Sequence, residues 1–593
     1  MLLLRSLLPF GISQWLYSCT RRIARFSVGL LTVVVLSSAC LAEDDRVLHL
    51  VPRDALGAVV IRSAEGLRQK LESLSGQSGL PIPDLVAQAR TASGFTDGID
   101  ESGNIAAVIM KPPADDSSPV AVVYLVAENN HAKLLESVNA SPAENGLATA
   151  GVRNRKLLIG SKGGFAVIAA EKFRENLTAV LESAESAATE LTPLSDRMSS
   201  ADVYAVVTPS GLQMLQEKLL QGLALVKSRI PASQASDTNV AAGLAVYEEL
   251  FHSIDREYTH GFWGLRFSDD GVRFLKSGML TSDGTLQKIS LAAGSASLSQ
   301  IQTFGDDSFV FGGVLSVPEA MSNYLTDYSM KFLTMYMPNG GLTEQDAQEL
   351  AELTRELMRG MTDMSFLFGT PGEGRPIYEN TYFTLRTPDA AGFLKQYEQV
   401  IVRMNEVMSR VKDSPFKYAT SHSTLDDRDV LELHADVSGF LQNQPIPQTR
   451  QMLHRLFGDK GEVTVYLTAV DETTVVGQYI SKERLAERIN QLLSNSSGTS
   501  DSAVAATRAL LPKNSFGIGF WSPAGTIRMV RQVVSGFMPS AGRLPEFPES
   551  PPMAGALSFS GGRIDLDAVI PAATIQAFGQ FVRSIQELRQ RRQ

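Results

Sequence analysis

The stretch "SHSTLDDRDVLELHAD" places His422, Asp426, Asp427, His434 and Asp436 within fifteen residues. Two imidazoles and three carboxylates are donors that zinc or manganese accepts. His422, Asp427 and His434 form the candidate metal set. A plainer reading competes with it. Leu431, Leu433 and Ala435 alternate with Glu432, His434 and Asp436, the pattern of a strand with one buried and one solvated face. The histidine spacing has none of the built-in convergence of a helical HExxH.

Other residue groups point less clearly to chemistry. The acid pairs Asp115-Asp116, Asp269-Asp270, Asp306-Asp307 and Asp426-Asp427 raise general acid and base work, but most fall in turn-like sequence, where Asp bonds its own backbone. Seven of the 18 methionines lie between Met321 and Met364, a density that suits Cu(I) or a greasy partner groove, and equally ordinary helix packing. "GTPGEGRP" from Gly369 lacks the Lys-Ser/Thr of a phosphate cradle, and no G-x-S-x-G elbow occurs. No cofactor is expected.

Targeting comes before fold. Arg21, Arg22 and Arg25 precede the uncharged run "FSVGLLTVVVLSSACLA", which ends in small residues ahead of Glu43, the order of a secretory signal. Cleavage after Ala42 is expected, making residues 1–42 a signal peptide. "LSSAC" leaves lipidation at Cys40 as an alternative, and an uncleaved anchor as another. Membrane contact is therefore expected only through that segment. Removing it takes four arginines and no acid from 54 basic and 64 acidic residues, which leaves a charge of -14. So acidic a body argues against nucleic acid as a partner. Both cysteines, Cys19 and Cys40, leave with the signal, excluding thiol catalysis, cysteine zinc sites and disulfides from the remainder.

The elements that would position these residues recur along the chain. "GAVVIRSAEGLRQKL", "DVYAVVTPSGLQMLQEKL", "SFVFGGVLSVPEAMSNYL" and "FGIGFWSPAGTIRMV" each run strand, small or proline-bearing turn, amphipathic helix. Collinear matches link Asp54 to Asp307, Val126 to Leu385, Phe173 to Leu485, Pro209 to Pro523 and Phe267 to Phe559. The expected fold is α+β in two related domains, 43–298 and 299–593, each a mostly antiparallel sheet with amphipathic helices packed on one side. A hairpin is inserted in the second near 401–460. Thr343 is expected to cap a helix carrying Leu350, Leu353, Leu357 and Met361 on one face, and Ser494–Ala503 and Gly542–Met553 to be exposed linkers.

The "VPRDALGAVVIRS" stretch, Val51 to Ser63, resembles a group of exported planctomycete-type bacterial proteins that carry a domain of unknown function. The resemblance implies an exported α+β protein with no assigned catalytic residue. The combined expectation is a periplasmic or envelope-associated, non-enzymatic binding or scaffold protein whose partner is a protein or another envelope component. A carboxylate- or metal-dependent hydrolase is the alternative.

Overall fold

A computed structural model describes residues 46–591, apart from one- or two-residue gaps and the stretches 231–237, 294–307, 337–342, 411–416, 437–461, 495–501 and 534–540. The chain divides into two compact units. One holds the described residues up to Ile230 with Leu250–Thr281, and the other those from Ser282 onward with the stretch ending at Glu249. The expected boundary at 298 falls outside the described residues. The observed division comes earlier because the helix Thr285–Ala292 associates with the second unit.

In the first unit, nine strands form from segments rich in β-branched and aromatic residues. They are β1 (Gly57–Ile61), β2 (Ile105–Met110), β3 (Ala121–Ala127), β4 (Ala148–Val152), β5 (Arg155–Lys162), β6 (Phe165–Ala170), β7 (Val203–Val207), β8 (Tyr258–Ser268) and β9 (Gly271–Leu280). Their pairings run β4-β5-β6-β3-β2-β1-β7-β8-β9, all antiparallel. Helices α1 (Ala64–Ser78), α2 (His131–Ser137), α3 (Arg174–Glu182) and α4 (Pro209–Arg229) follow β1, β3, β6 and β7. Leu177 and Val180 of α3 pack with Val123, Leu125 and Val167 on one face of the sheet, while Leu67 of α1 and Leu134 of α2 pack with Ile61, Ile105 and Ile168 on the other. Helices on one side only were expected. The sheet is covered on both, because β2 and β6 carry apolar residues on both faces.

The second unit's strands are β10 (Phe309–Ser316), β11 (Asp363–Gly369), β12 (Thr381–Arg386), β13 (Lys417–Leu425), β14 (Arg428–Asp436), β15 (Glu462–Ala469), β16 (Thr474–Tyr479), β17 (Gly517–Trp521), β18 (Met553–Ser560) and β19 (Arg563–Pro571). Their antiparallel order is β13-β14-β15-β16-β12-β11-β10-β17-β18-β19. With β13 set aside, this is the order of the first unit strand for strand.

Six helices matter in this unit: α5 (Glu319–Tyr336), α6 (Glu344–Met358), α7 (Ala390–Arg410), α8 (Lys482–Ser494), α9 (Pro523–Val533) and α10 (Ala572–Gln590). Thr343 caps α6 through a reciprocal box with Asp346, which holds that carboxyl below its usual range through the Thr343 hydroxyl. Leu350 and Leu353 of α6 pack against Val400 and Val407 of α7, while the expected Met361 lies beyond the helix, which ends at Met358. Phe393 and Ile401 of α7 cover Leu385, Leu431 and Leu467 on one face of the sheet. Leu485 and Ile489 of α8 cover Val430 and Val476 on the other.

One local device occurs in both units. Thr208 and Ser522 cap α4 and α9, each accepting a hydrogen bond from the backbone N–H of Gly211 or Gly525, with proline at the first helical position. A Cβ on Gly211 would lie 1.8 Å from the Leu56 carbonyl oxygen, and one on Gly525 lies equally close to that of Phe309. Glycine is required at both because the helix start rests on backbone.

Val126 and Leu385 occupy the same place in β3 and β12, opposite Ile105 and Met364, and Pro209 and Pro523 both open the helix after the corresponding strand. Phe173 and Leu485 do not correspond. Leu485 stands three residues into α8, where α3 has Leu177, and both side chains are fully buried. The slip is one helical turn, over which an i, i+4, i+7 stripe repeats itself. Asp307 lies outside the described residues. The Gly542–Met553 linker is not exposed throughout: Phe547 is buried with its ring 4.9 Å from Phe578, and the Pro551 carbonyl accepts from Thr574. Ser494 ends α8, and most of the other linker is outside the described residues.

Candidate functional site

The register of β13 on β14 separates the candidate metal set. His422 stands opposite Leu431 and His434 opposite Ala419, so the two imidazoles leave opposite faces of the hairpin. Asp427 is at its tip with Asp426, both at positive φ in a two-residue turn. No group of three or more metal-binding side chains occurs among the described residues. His422 is instead clasped between Asp429, 3.1 Å from Nδ1, and Glu398 of α7, 3.1 Å from Nε2, and both carboxylates hold its pKa above the ordinary histidine value.

On the opposite face the hairpin joins α8 in a polar cluster. Ser421 Oγ is 3.0 Å from His434 Nε2, and His434 Nδ1 is 3.1 Å from Thr464 Oγ1 and 3.7 Å from Glu462. Lys482 donates to Ser423 Oγ at 2.6 Å, and Ser423 donates to Glu432. That bond, then Lys482 and His434, hold the Glu432 carboxyl below its usual range.

The first unit carries two polar clefts. One, about 520 Å³, is lined by Arg53, Asp54, Glu185, Glu190 and Ser210, and Arg53 is already paired, its Nε 2.6 Å from Glu190 and its guanidinium 3.5 Å from Glu185. Nearby, burial pushes the pKa of His260 down, although Glu190 lies 3.8 Å from its Nε2. The other, about 740 Å³, includes Lys70 and Asp202, 2.6 Å apart, and Glu128. Glu128 accepts from Ser161 and lies 2.6 Å from His131 Nδ1.

A surface of another kind lies on the second unit's sheet. Gly313, Gly519 and Gly555 are directly opposite one another on β10, β17 and β18, and Ala568 of β19 continues the row. Side chains on this row would project from the face that α7 covers over β12 to β16. No described helix residue lines the cleft over β17 and β18. Three interior strand glycines are costly, at roughly 0.5 to 1 kcal/mol each, and so ask for a reason beyond folding. A Cβ on Gly519 or Gly555 would meet nothing closer than 3.8 Å, whereas one on Gly313 would lie 2.7 Å from the Ile518 oxygen, so among the described residues the row is an open trench over β17 and β18.

Leu315, Leu557 and Leu566 form one wall, with Gly517 as a gap, and Phe311, Trp521 and Met553 form the other. Phe366 closes one end, its ring 5.5 Å from Phe311. The cleft, about 450 Å³, has among the described residues only glycine and apolar side chains in its lining. Phe311, Trp521 and Leu566 are 46%, 41% and 43% exposed, unusual for large apolar groups gathered on one face. Trp521 Nε1 donates to Thr526 at 2.7 Å, which fixes the indole and leaves its carbon surface open.

The sequence reading passed over these glycines. Their signal is the in-strand glycine of "FVFGGVL", "FGIGFW" and "MAGALSF", which becomes a trench only once strand order makes them neighbours. No protein-family model, curated protein or solved structure matches the chain.

Proposed function

We propose that the protein is an exported, non-enzymatic cell-envelope binding protein, built from two copies of one α+β module and contacting its ligand through the bare sheet face of the second copy. The apolar trench carries this reading: interior glycines and exposed aromatic walls weaken a monomer and suit a ligand. The common strand order and the Thr/Ser-Pro-x-Gly helix start in both units support the duplication. Export rests on the basic and apolar segment of residues 21–42.

Binding of 1-anilinonaphthalene-8-sulfonate by the folded protein tests the reading. Saturable fluorescence enhancement that falls in Phe311→Ser and Leu566→Ser, with circular dichroism unchanged, is the expected result. Equal enhancement in wild type and variants removes this face as the binding surface. A hydrolase reading has one observation in its favour, the 3.0 Å approach of Ser421 Oγ to His434 Nε2, on a face where the nearest described carboxylate beyond Nδ1 is 3.7 Å away.

A further inference from the structure

Resting on that binding reading, we propose that the Gly313–Gly519–Gly555 trench holds the single acyl chain of a monoacyl lipid, laid across the strands with its polar head in water.

The shape of the trench narrows the choice of occupant. Its walls stand two residues to either side of the glycine row, roughly 13 Å apart between Cα atoms, and their side chains project into that width. An α-helix, about 10 to 12 Å across with its side chains, is too wide to reach the glycine floor. An added strand finds no partner there, because the floor's backbone groups are engaged in the ladders between β10, β17 and β18. Among the described residues no charged or polar side chain lines the cleft to offset the desolvation of an extended peptide's amides.

A methylene chain has neither need. It is thin enough for one empty row, gains from every apolar contact, and can run the roughly 14 Å from Gly313 to Ala568 across three strand spacings. Phe366 stops it at one end. The row admits one chain and not two, since the flanking rows are walls. The corresponding row of the first unit is filled by Val59, Ala205, Trp263 and Lys276 and offers no second trench.

The test is an equilibrium titration of the full-length protein with dansyl-undecanoic acid, displaced by lauroyl-lysophosphatidylcholine below its micellar concentration. Binding of one chain per molecule is expected, at least tenfold weaker in Gly519→Val and Gly555→Val, where the new side chain enters open space. Ala205→Val, at the corresponding first-unit position, should leave affinity unchanged. Displacement by lauric acid but not by the lysolipid overturns the lipid as source. If Phe311→Ser lowers anilinonaphthalene-sulfonate binding while acyl binding is absent or insensitive to Gly519→Val, the acyl inference falls and the binding face stands. If neither probe binds, both fall. Self-association in sedimentation that Gly519→Val abolishes would identify a second copy as the occupant and overturn the proposal.

Discussion

The row Val59–Ala205–Trp263–Lys276 in the first unit and the row Gly313–Gly519–Gly555–Ala568 in the second occupy the same place in the same ladder order. One is filled and ends in a charged side chain; the other is empty and walled by exposed aromatic and aliphatic groups. The backbone pairing is indifferent to this change, since ladder hydrogen bonds do not involve side chains. A fold can thus be kept while its surface is altered, and the alteration marks where to look for function.

The comparison can be broken or sharpened at several points. The largest effect is expected from Leu177→Ala and Leu485→Ala, each removing a fully buried side chain from the helix after β6 or β16, at about 3 kcal/mol apiece. Denaturant unfolding checks this, and a neutral Leu485→Ala would undo the one-turn correspondence of α3 and α8. Next come Gly211→Ala and Gly525→Ala. A methyl group 1.8 Å from a backbone oxygen forces the helix start outward at about 2 kcal/mol in each unit, and clearly unequal losses would show that the two contacts are not the same device.

Smaller and of opposite sign, Gly519→Val should stabilise the second unit by about 0.5 kcal/mol, because valine suits an open strand position better than glycine. Gly313→Val should destabilise it, since a Cβ there lies 2.7 Å from the Ile518 oxygen. A loss in Gly519→Val as large as in Gly313→Val would mean the trench is already occupied by protein.

Among the described residues the His422 clasp has no counterpart in the first unit, because β13 has none there. Asp429 and Glu398 raise the folded-state pKa, so its contribution is complete below the unfolded value near 6.5 and is lost as pH rises through the higher folded value. At 47% exposure the effect on stability is small. Proton NMR titration of the imidazole should give a pKa above 6.5 that falls in Glu398→Gln. Last, a fluorophosphonate probe should leave Ser421 unlabelled. Labelling that Ser421→Ala and His434→Ala abolish would replace the binding reading with a hydrolase.

Many strands and the helices that follow them were legible because strands alternate and strand-helix turns carry marked chemistry, whereas the order of the ladder was not. Thr208-Pro209 and Ser522-Pro523 name a helix start by its cap and its proline. Helix phase was less legible: Phe173 and Leu177 lie one turn apart on a stripe that looks the same after each turn. Helices on both faces were missed because "IAAVIM" and "FAVIAA" are apolar throughout and do not say which side is covered. The alternation of Leu431, Leu433 and Ala435 with Glu432, His434 and Asp436 was legible, but the register of β13 on β14, which sends His422 and His434 to opposite faces, was not. The trench was least legible, since Gly313, Gly519 and Gly555 meet only through pairings between distant segments.

β1 is a central strand whose residue 57 meets residue 207, and β10 likewise waits for β17, more than two hundred residues on. As the chain emerges from the ribosome, each sheet therefore has a raw inner edge until its last third arrives. That order of arrival makes late-appearing segments the ones that seal each unit, and gives a holding chaperone a defined interval in which to act.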